Sequence, residues 1–172
     1  MNFRLATEAD LSEILTIIAA AKQFLKQQGS PQWQNGQGPD KAVIQKDIAR
    51  QESYVLESAG QLVGTAALIK GNDPVYQAIT GKWLRDSPDY LSIHHVAISP
   101  SVRGQGVGSK LLTVCLTEAQ RLGYPDIRID TYPANEIMRH LIKKAGFAEC
   151  GIVQFPFPNG ERVAYQFLGL DE

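Results

Sequence analysis

The sequence predicts an α+β fold, a mixed α/β architecture in which one sheet of about seven strands is flanked by helices, forming a single domain over residues 1–172. Three observations point there. Segments with helical periodicity alternate with β-rich segments, which implies a sheet covered by helices. Some neighbouring strands are joined by tight turns, so antiparallel hairpins accompany the crossovers. The chain has 172 residues, 44% of them hydrophobic, enough for one sizeable core, and no linker divides it.

The elements follow in order. Asn2–Leu5 reads as a short strand. Thr7 then resembles a helix cap with acidic residues behind it. Leu11, Ile14, Leu15, Ile18 and Leu25 fit one face of a helix that Gly29 closes. GSPQWQNGQGP is a loop, and a second helix covers Asp40 to Arg50. SYVLESAGQLVGTAALI is a hairpin turning at Ser58-Ala59-Gly60-Gln61. Lys70 to Pro88 carries mixed signals and fits a short helix or a loop equally. Tyr90–Ile98 is a strand, Gly104–Leu122 a helix and Asp126–Thr131 a strand. Asn135–Ala145 is a helix with Met138, Leu141, Ile142 and Ala145 on one face, stopped by Gly146. Phe147–Phe155 and Arg162–Leu168 are closing strands around the turn Pro158-Asn159-Gly160.

Composition narrows the function. A net charge of −1 gives no bulk attraction to nucleic acid or anionic lipid. No run of eighteen apolar residues is present, so no membrane partner is expected. MNFRLATEADL lacks an apolar signal core, and a cytoplasmic location is the expectation. Cys115 and Cys150 have no metal-like spacing and read as small buried hydrophobes, and no metal is expected.

SPSVRGQGVGS, residues 99–109, places three glycines within five residues between a strand and a helix. The first turn of a helix has unpaired N–H groups and the positive end of the helix dipole. Glycines let a phosphate reach those groups. The spacing fits neither the Walker loop nor the dinucleotide fingerprint, which disfavours a nucleotide.

Arg103-Gly104-Gln105-Gly106-Val107-Gly108 resembles the Arg/Gln-x-x-Gly-x-Gly/Ala pattern of the GNAT superfamily of N-acetyltransferases. HHVAISPSV resembles that family's fourth strand, and NEIMRHLIKKAGF, from Asn135, resembles its later helix. Gln32-Trp33 and Gln34-Asn35-Gly36 are similar to an uncharacterised bacterial subgroup. The resemblance implies a mostly antiparallel, splayed sheet with acetyl-CoA in the opening. It implies that Val96, Ala97 and Ile98 bond the pantetheine arm, that the amides of Gly104, Gln105, Gly106, Val107, Gly108 and Ser109 take the diphosphate, and that Asn135 bonds the arm from the next helix. Arg103 either adds charge to the phosphates or caps the loop.

The implied reaction is direct transfer of acetyl from acetyl-CoA to a primary amine of a small-molecule or peptide acceptor, in a ternary complex. His94 and His95 are adjacent on a strand and should point to opposite faces. By alignment to the family's strand, His94 shares a face with Ser92, Val96 and Ile98, making His94 and Ser92 the proton-relay candidates. His94 could equally be a pocket residue without a proton-transfer role. Where many members carry a tyrosine as acid for the thiolate, this chain has Ile142. Tyr132 is a substitute candidate, or simply a turn aromatic before Pro133. Asp130 orients an amine, or pairs with Arg128 or a loop N–H. Trp33 and Trp83 pack an acceptor or cover core, and Arg162 and Tyr165 could line the same side. The missing tyrosine keeps a second reading open, a CoA-binding regulatory module without catalysis. Exposed closing strands would also suit a homodimer.

Overall fold

The computed structural model describes residues 1–169. The elements are β1 (Asn2–Leu5), α1 (Leu11–Gln27), α2 (Lys41–Ala49), β2 (Ser53–Ser58), β3 (Gln61–Lys70), α3 (Pro74–Gln77), β4 (Thr80–Gly81), β5 (Leu91–Ile98), α4 (Val107–Arg121), β6 (Asp126–Thr131), α5 (Glu136–Lys144), β7 (Ala148–Gln154) and β8 (Glu161–Leu168). The sheet has eight strands in the order β1-β2-β3-β5-β6-β8-β7-β4. Every pairing is antiparallel except β5 with β6. The strand beyond the seven expected is β4, a two-residue edge in the segment with mixed signals. That segment supplies both a one-turn helix and a strand.

Local chemistry explains most boundaries. Thr7 and Asp10 form a capping box over one 3₁₀ turn before α1 begins. The side chains of Asp40 and Asn135 accept from Val43 and Met138 amides at the starts of α2 and α5. Ala59 and Gly60 both take positive φ, 51° and 77°, between β2 and β3, as a two-residue hairpin turn requires. α4 starts at Val107, three residues later than the glycine run suggested, because Gly104 and Gly106 are left-handed at φ 80° and 78°.

Two layers cover the sheet. α4 and α5 bury Leu111, Leu112, Cys115 and Ile142 against Leu68, Leu91, Ile93, Ile127 and Ile129 on one face. On the opposite face, α1 and α2 pack Ile14, Ile18, Ile44 and Ile48 on Val55 and Ala97. The remainder of that face is covered by the 70–90 segment, whose Tyr76, Trp83 and Tyr90 cluster with Val153 and Ala164. Arg128 fixes this segment. Its guanidinium lies between the rings of Trp83 and Tyr90, 4.2 and 3.8 Å from their centroids, pairs with Asp126 at 3.1 Å, and donates to the carbonyls of Arg85 and Ser87. A buried ion pair is tolerable only with its remaining donors satisfied, and here backbone carbonyls satisfy them.

Candidate active site

Two departures from regular sheet structure create the site. The first is the parting of β5 and β6. They pair in register only from Leu91↔Ile127 to Ile93↔Ile129. Beyond Ile93, β5 keeps β3 on one side while Asp130 and Thr131 follow β8. A cavity of about 560 Å³ opens between them, lined by Ile93 to Ile98 on one bank and Ile129 to Thr131 on the other. The Ser99 amide donates to Val63 of β3. By alternation, the main-chain groups of Ile98 and Val96 therefore face the opening.

The second departure is a bulge in β5. Ala97 pairs with Thr65 and His94 with Ala67, so His95 and Val96 together oppose Ala66. His95 takes φ 54°, a left-handed conformation that some bulges use and an ordinary strand residue avoids. The extra residue breaks the alternation. Leu91 and Ile93 before it, and Val96 and Ile98 after it, all pack on the α4 face. Both histidines emerge on the other face, with rings 5.9 Å apart. The expectation that they point to opposite faces fails, as does the expectation that His94 shares a face with Val96 and Ile98. The bulge is the physical reason for both.

The two histidines have different settings. His95 Nδ1 lies 2.8 Å from Oδ2 of Asp47, which α2 presents almost fully buried. His94 lies 3.9 Å from the Asp73 carboxylate, and its ring stacks 6.1 Å from that of Tyr76. Burial holds His94 below the usual histidine range, although nearby Asp130 opposes the shift. Asp130 accepts from the Tyr76 hydroxyl at 2.6 Å and leaves Arg128 to Asp126. Burial first, and the Asp130 carboxylate next, hold the Tyr76 hydroxyl far above its ordinary range, so it stays a donor.

The glycine loop meets the cavity at the start of α4. Gly104 and Gly108 line it. Among the described residues, no group accepts from the amides of Gly104, Gly106, Val107, Gly108 or Ser109, and no side chain caps the helix. The Gln105 amide, expected with them, is instead turned back to the Val102 carbonyl at 3.2 Å by the tight turn before the helix. A methyl group added at Gly104 or Gly106 would meet nothing within 4 Å, so the space beside these α-carbons is open. Arg103 also lines the cavity and lays its guanidinium 3.9 Å over the Phe24 ring. Asn135 lines it from the start of α5, with Nδ2 3.5 Å from Gln32 Oε1 of the facing loop. Thr131 lines it too, and its hydroxyl is the single fully buried side-chain polar atom without a partner among the described residues. These features suit a strand-like ligand ending in a diphosphate.

The other expected residues divide. Trp33 lines this cavity at φ 63°. Trp83 does not. It is 6% exposed, donates its indole N–H to the Tyr76 carbonyl and lies under Arg128, so it anchors the 70–90 segment. Ser92 is buried away from the cavity, because it precedes the point where β5 and β6 part. Tyr132 is half-buried beside Arg162 rather than among the lining residues. Tyr165 is buried and bonded by Arg139, while Arg162 lines the cavity. Ile142 lies fully in the core. Sequence reasoning missed Asp47. Among the described residues, no group of three His, Cys, Asp or Glu side chains could hold a metal ion.

A splayed sheet with an uncapped glycine-rich helix start beside the opening defines an acyl-transferase architecture. Residues 18–147 match the model of the acetyltransferase (GNAT) family. The chain thus belongs to the GNAT family of acetyltransferases, enzymes that move an acetyl group from acetyl-CoA to amines of small molecules or peptides. A GNAT-family acetyltransferase from Streptococcus agalactiae is 34% identical, with 99% of this chain and 96% of that one covered and a TM-score of 0.86. One from Listeria monocytogenes, 22% identical over 97% and 94% of the two chains with a TM-score of 0.76, shows the shared fold. An S-alkylcysteine N-acetyltransferase of Bacillus subtilis is 32% identical over 113 residues, 64% of this chain and 56% of the relative, so the match spans just over half of that protein's length.

Proposed function

We propose that this protein is an acetyl-CoA-dependent N-acetyltransferase acting by direct transfer in a ternary complex. The observation that carries the reading is the free inner edge of β5 at Val96–Ile98, running towards the amides of Gly104, Gly106, Val107, Gly108 and Ser109, which have no acceptor among the described residues. The amides of that loop hold the diphosphate and the β5 edge holds the pantetheine amides. Asn135 closes on the arm, and Thr131 Oγ1 donates to it. Acetyl-CoA supplies an activated acetyl group. The chain must bind it, orient the amine and remove the amine's proton.

Proton removal falls to the histidine pair. His95 is oriented by Asp47, the arrangement that fixes the tautomer and steadies the imidazolium once a proton arrives. His94, held neutral by its surroundings, relays the proton beside it. The Asp130 carboxylate draws the acceptor's ammonium to the same side. The S-alkylated cysteine named for the Bacillus subtilis relative is the first acceptor to try.

Ile142 in place of the family's tyrosine supports the second reading, a coenzyme-binding module without turnover. Thiol release from acetyl-CoA, followed across amino acids, polyamines and peptide N-termini, separates the two. Amine-dependent release supports transfer. Tight acetyl-CoA binding without release across the panel supports the module.

A further inference from the structure

The acceptor side of the cavity holds a buried cation without a counter-ion. Arg162 of β8 is 5% exposed and lines the cavity. Nη1 donates at 2.8 Å to the carbonyls of both Asn159 and Glu161. Nε and Nη2 have no acceptor, and no carboxylate lies within ion-pair distance, among the described residues. The rings of Tyr132, Phe155 and Phe157 surround the guanidinium at 5.5 to 5.9 Å. Burial lowers its pKa, with Asp130 acting in the opposite sense. The one other buried arginine among the described residues, Arg128, has a carboxylate partner in Asp126. The free nitrogens are not fully buried, since Thr131 Oγ1 alone among the described residues is a fully buried side-chain polar atom without a partner. They belong to a cavity-lining residue flanked by aromatic rings, and a guanidinium fork left open there points to a ligand anion.

The sheet decides which ligand. Asp130 pairs with Ala164, two residues from Arg162 on β8, so Asp130 and Arg162 share a face as diagonal neighbours. His94 and His95 emerge on that face, away from the α4 core. An acceptor seated here meets a carboxylate and two imidazoles at one end and a guanidinium fork at the other. Phe155 and Phe157 line the cavity near the fork and form an apolar wall.

We propose that the acceptor is a free amino acid with an apolar side chain, its carboxylate held by Arg162 through Nε and Nη2 and its amine turned towards His95 and Asp130. A fork of parallel N–H donors matches a carboxylate and discriminates against an amide. This rests on the acetyltransferase reading for its chemistry, but its test is a binding measurement that does not need turnover.

S-Methylcysteine, methionine, leucine and phenylalanine, each paired with its carboxamide, are titrated calorimetrically into the protein saturated with coenzyme A. The expected result is at least one acid bound roughly 30-fold or more tighter than its amide, the scale for losing one partner of a buried charge pair. In Arg162→Gln and Arg162→Lys that ratio should fall below about threefold, while unchanged coenzyme A affinity confirms the fold. Acid and amide binding equally, a ratio that survives in Arg162→Gln, or no binding by any of the four acids overturns the proposal. Absent thiol release with a preserved acid preference would instead count against the transferase reading alone.

Discussion

His95 Nδ1 and Asp47 Oδ2 lie 2.8 Å apart, joining the bulge of β5 to the helix packed over it. The contact exists because His95 is turned out of the strand alternation at φ 54°. A left-handed conformation in a non-glycine residue costs about 1–3 kcal/mol and persists only where its surroundings enforce it. Here the strain delivers an oriented imidazole to a cavity wall.

If the pair removes the amine's proton, His95→Ala should lower kcat by about 100-fold, within the usual range for a general base, with little change in KM for acetyl-CoA. Asp47→Asn should lower kcat less and change the shape of the pH–rate profile. His94→Ala should also lower kcat at saturating acetyl-CoA. Steady-state kinetics of the three variants check this. Unchanged turnover in His95→Ala would remove it from the proton path.

The glycine loop gives a second prediction. Gly106 sits at φ 78°, and a methyl there meets no protein atom within 4 Å. Gly106→Ala should therefore cost only about 1–2 kcal/mol of stability, from left-handed strain. It should weaken acetyl-CoA binding by about tenfold, the value of one charge-assisted bond. Calorimetry and thermal melting separate the effects. A melting shift with unaltered binding would place the diphosphate elsewhere.

Stability should depend on an ion pair far from the site. Arg4 grips Asp10 at 2.8 Å and holds its carboxyl near about 2. The lowered folded-state value means that the stabilisation is present above the unfolded carboxylate range near 4. It is lost as pH falls towards 2. With Arg4 one-third exposed, solvent screening limits the effect. Asp10→Asn should cost about 1–2 kcal/mol at pH 7 and progressively less in acid, measured by urea unfolding at each pH.

β4 and β7 approach so closely that a side chain at either contact glycine meets backbone. A methyl at Gly151 would overlap the Thr80 carbonyl, and one at Gly81 the Cys150 carbonyl. Both glycines have φ beyond 130°. Gly151→Ala should destabilise by about 2 kcal/mol or more while leaving acetyl-CoA affinity intact, since β4 edges the sheet away from the cavity. A neutral melting temperature would contradict this.

The glycine loop, the helix behind it and the strand ahead were legible because their signals are local. Left-handed turns select glycine, and the face of Leu111, Leu112, Cys115 and Leu116 repeats at helical spacing. What was not legible depends on partners distant in sequence. The bulge at His95 is set by how β5 registers on β3, and no feature of HHVAI announces an extra residue. Asp47 reads as an ordinary polar position of a short helix until α2 is placed over β5. Trp83 shows its role only once Arg128 and Tyr76 are seen to hold it. The isolation of Arg162 emerges only when β8 is set between β6 and β7.

The most direct measurement is a crystal structure of the protein grown with acetyl-CoA. Diphosphate oxygens within hydrogen-bonding distance of the amides from Gly104 to Ser109, with the pantetheine arm along Val96–Ile98 and the thioester beside His95, are the expected result. A coenzyme bound outside the gap between β5 and β6, with those amides capped by the protein itself, would contradict the proposed chemistry.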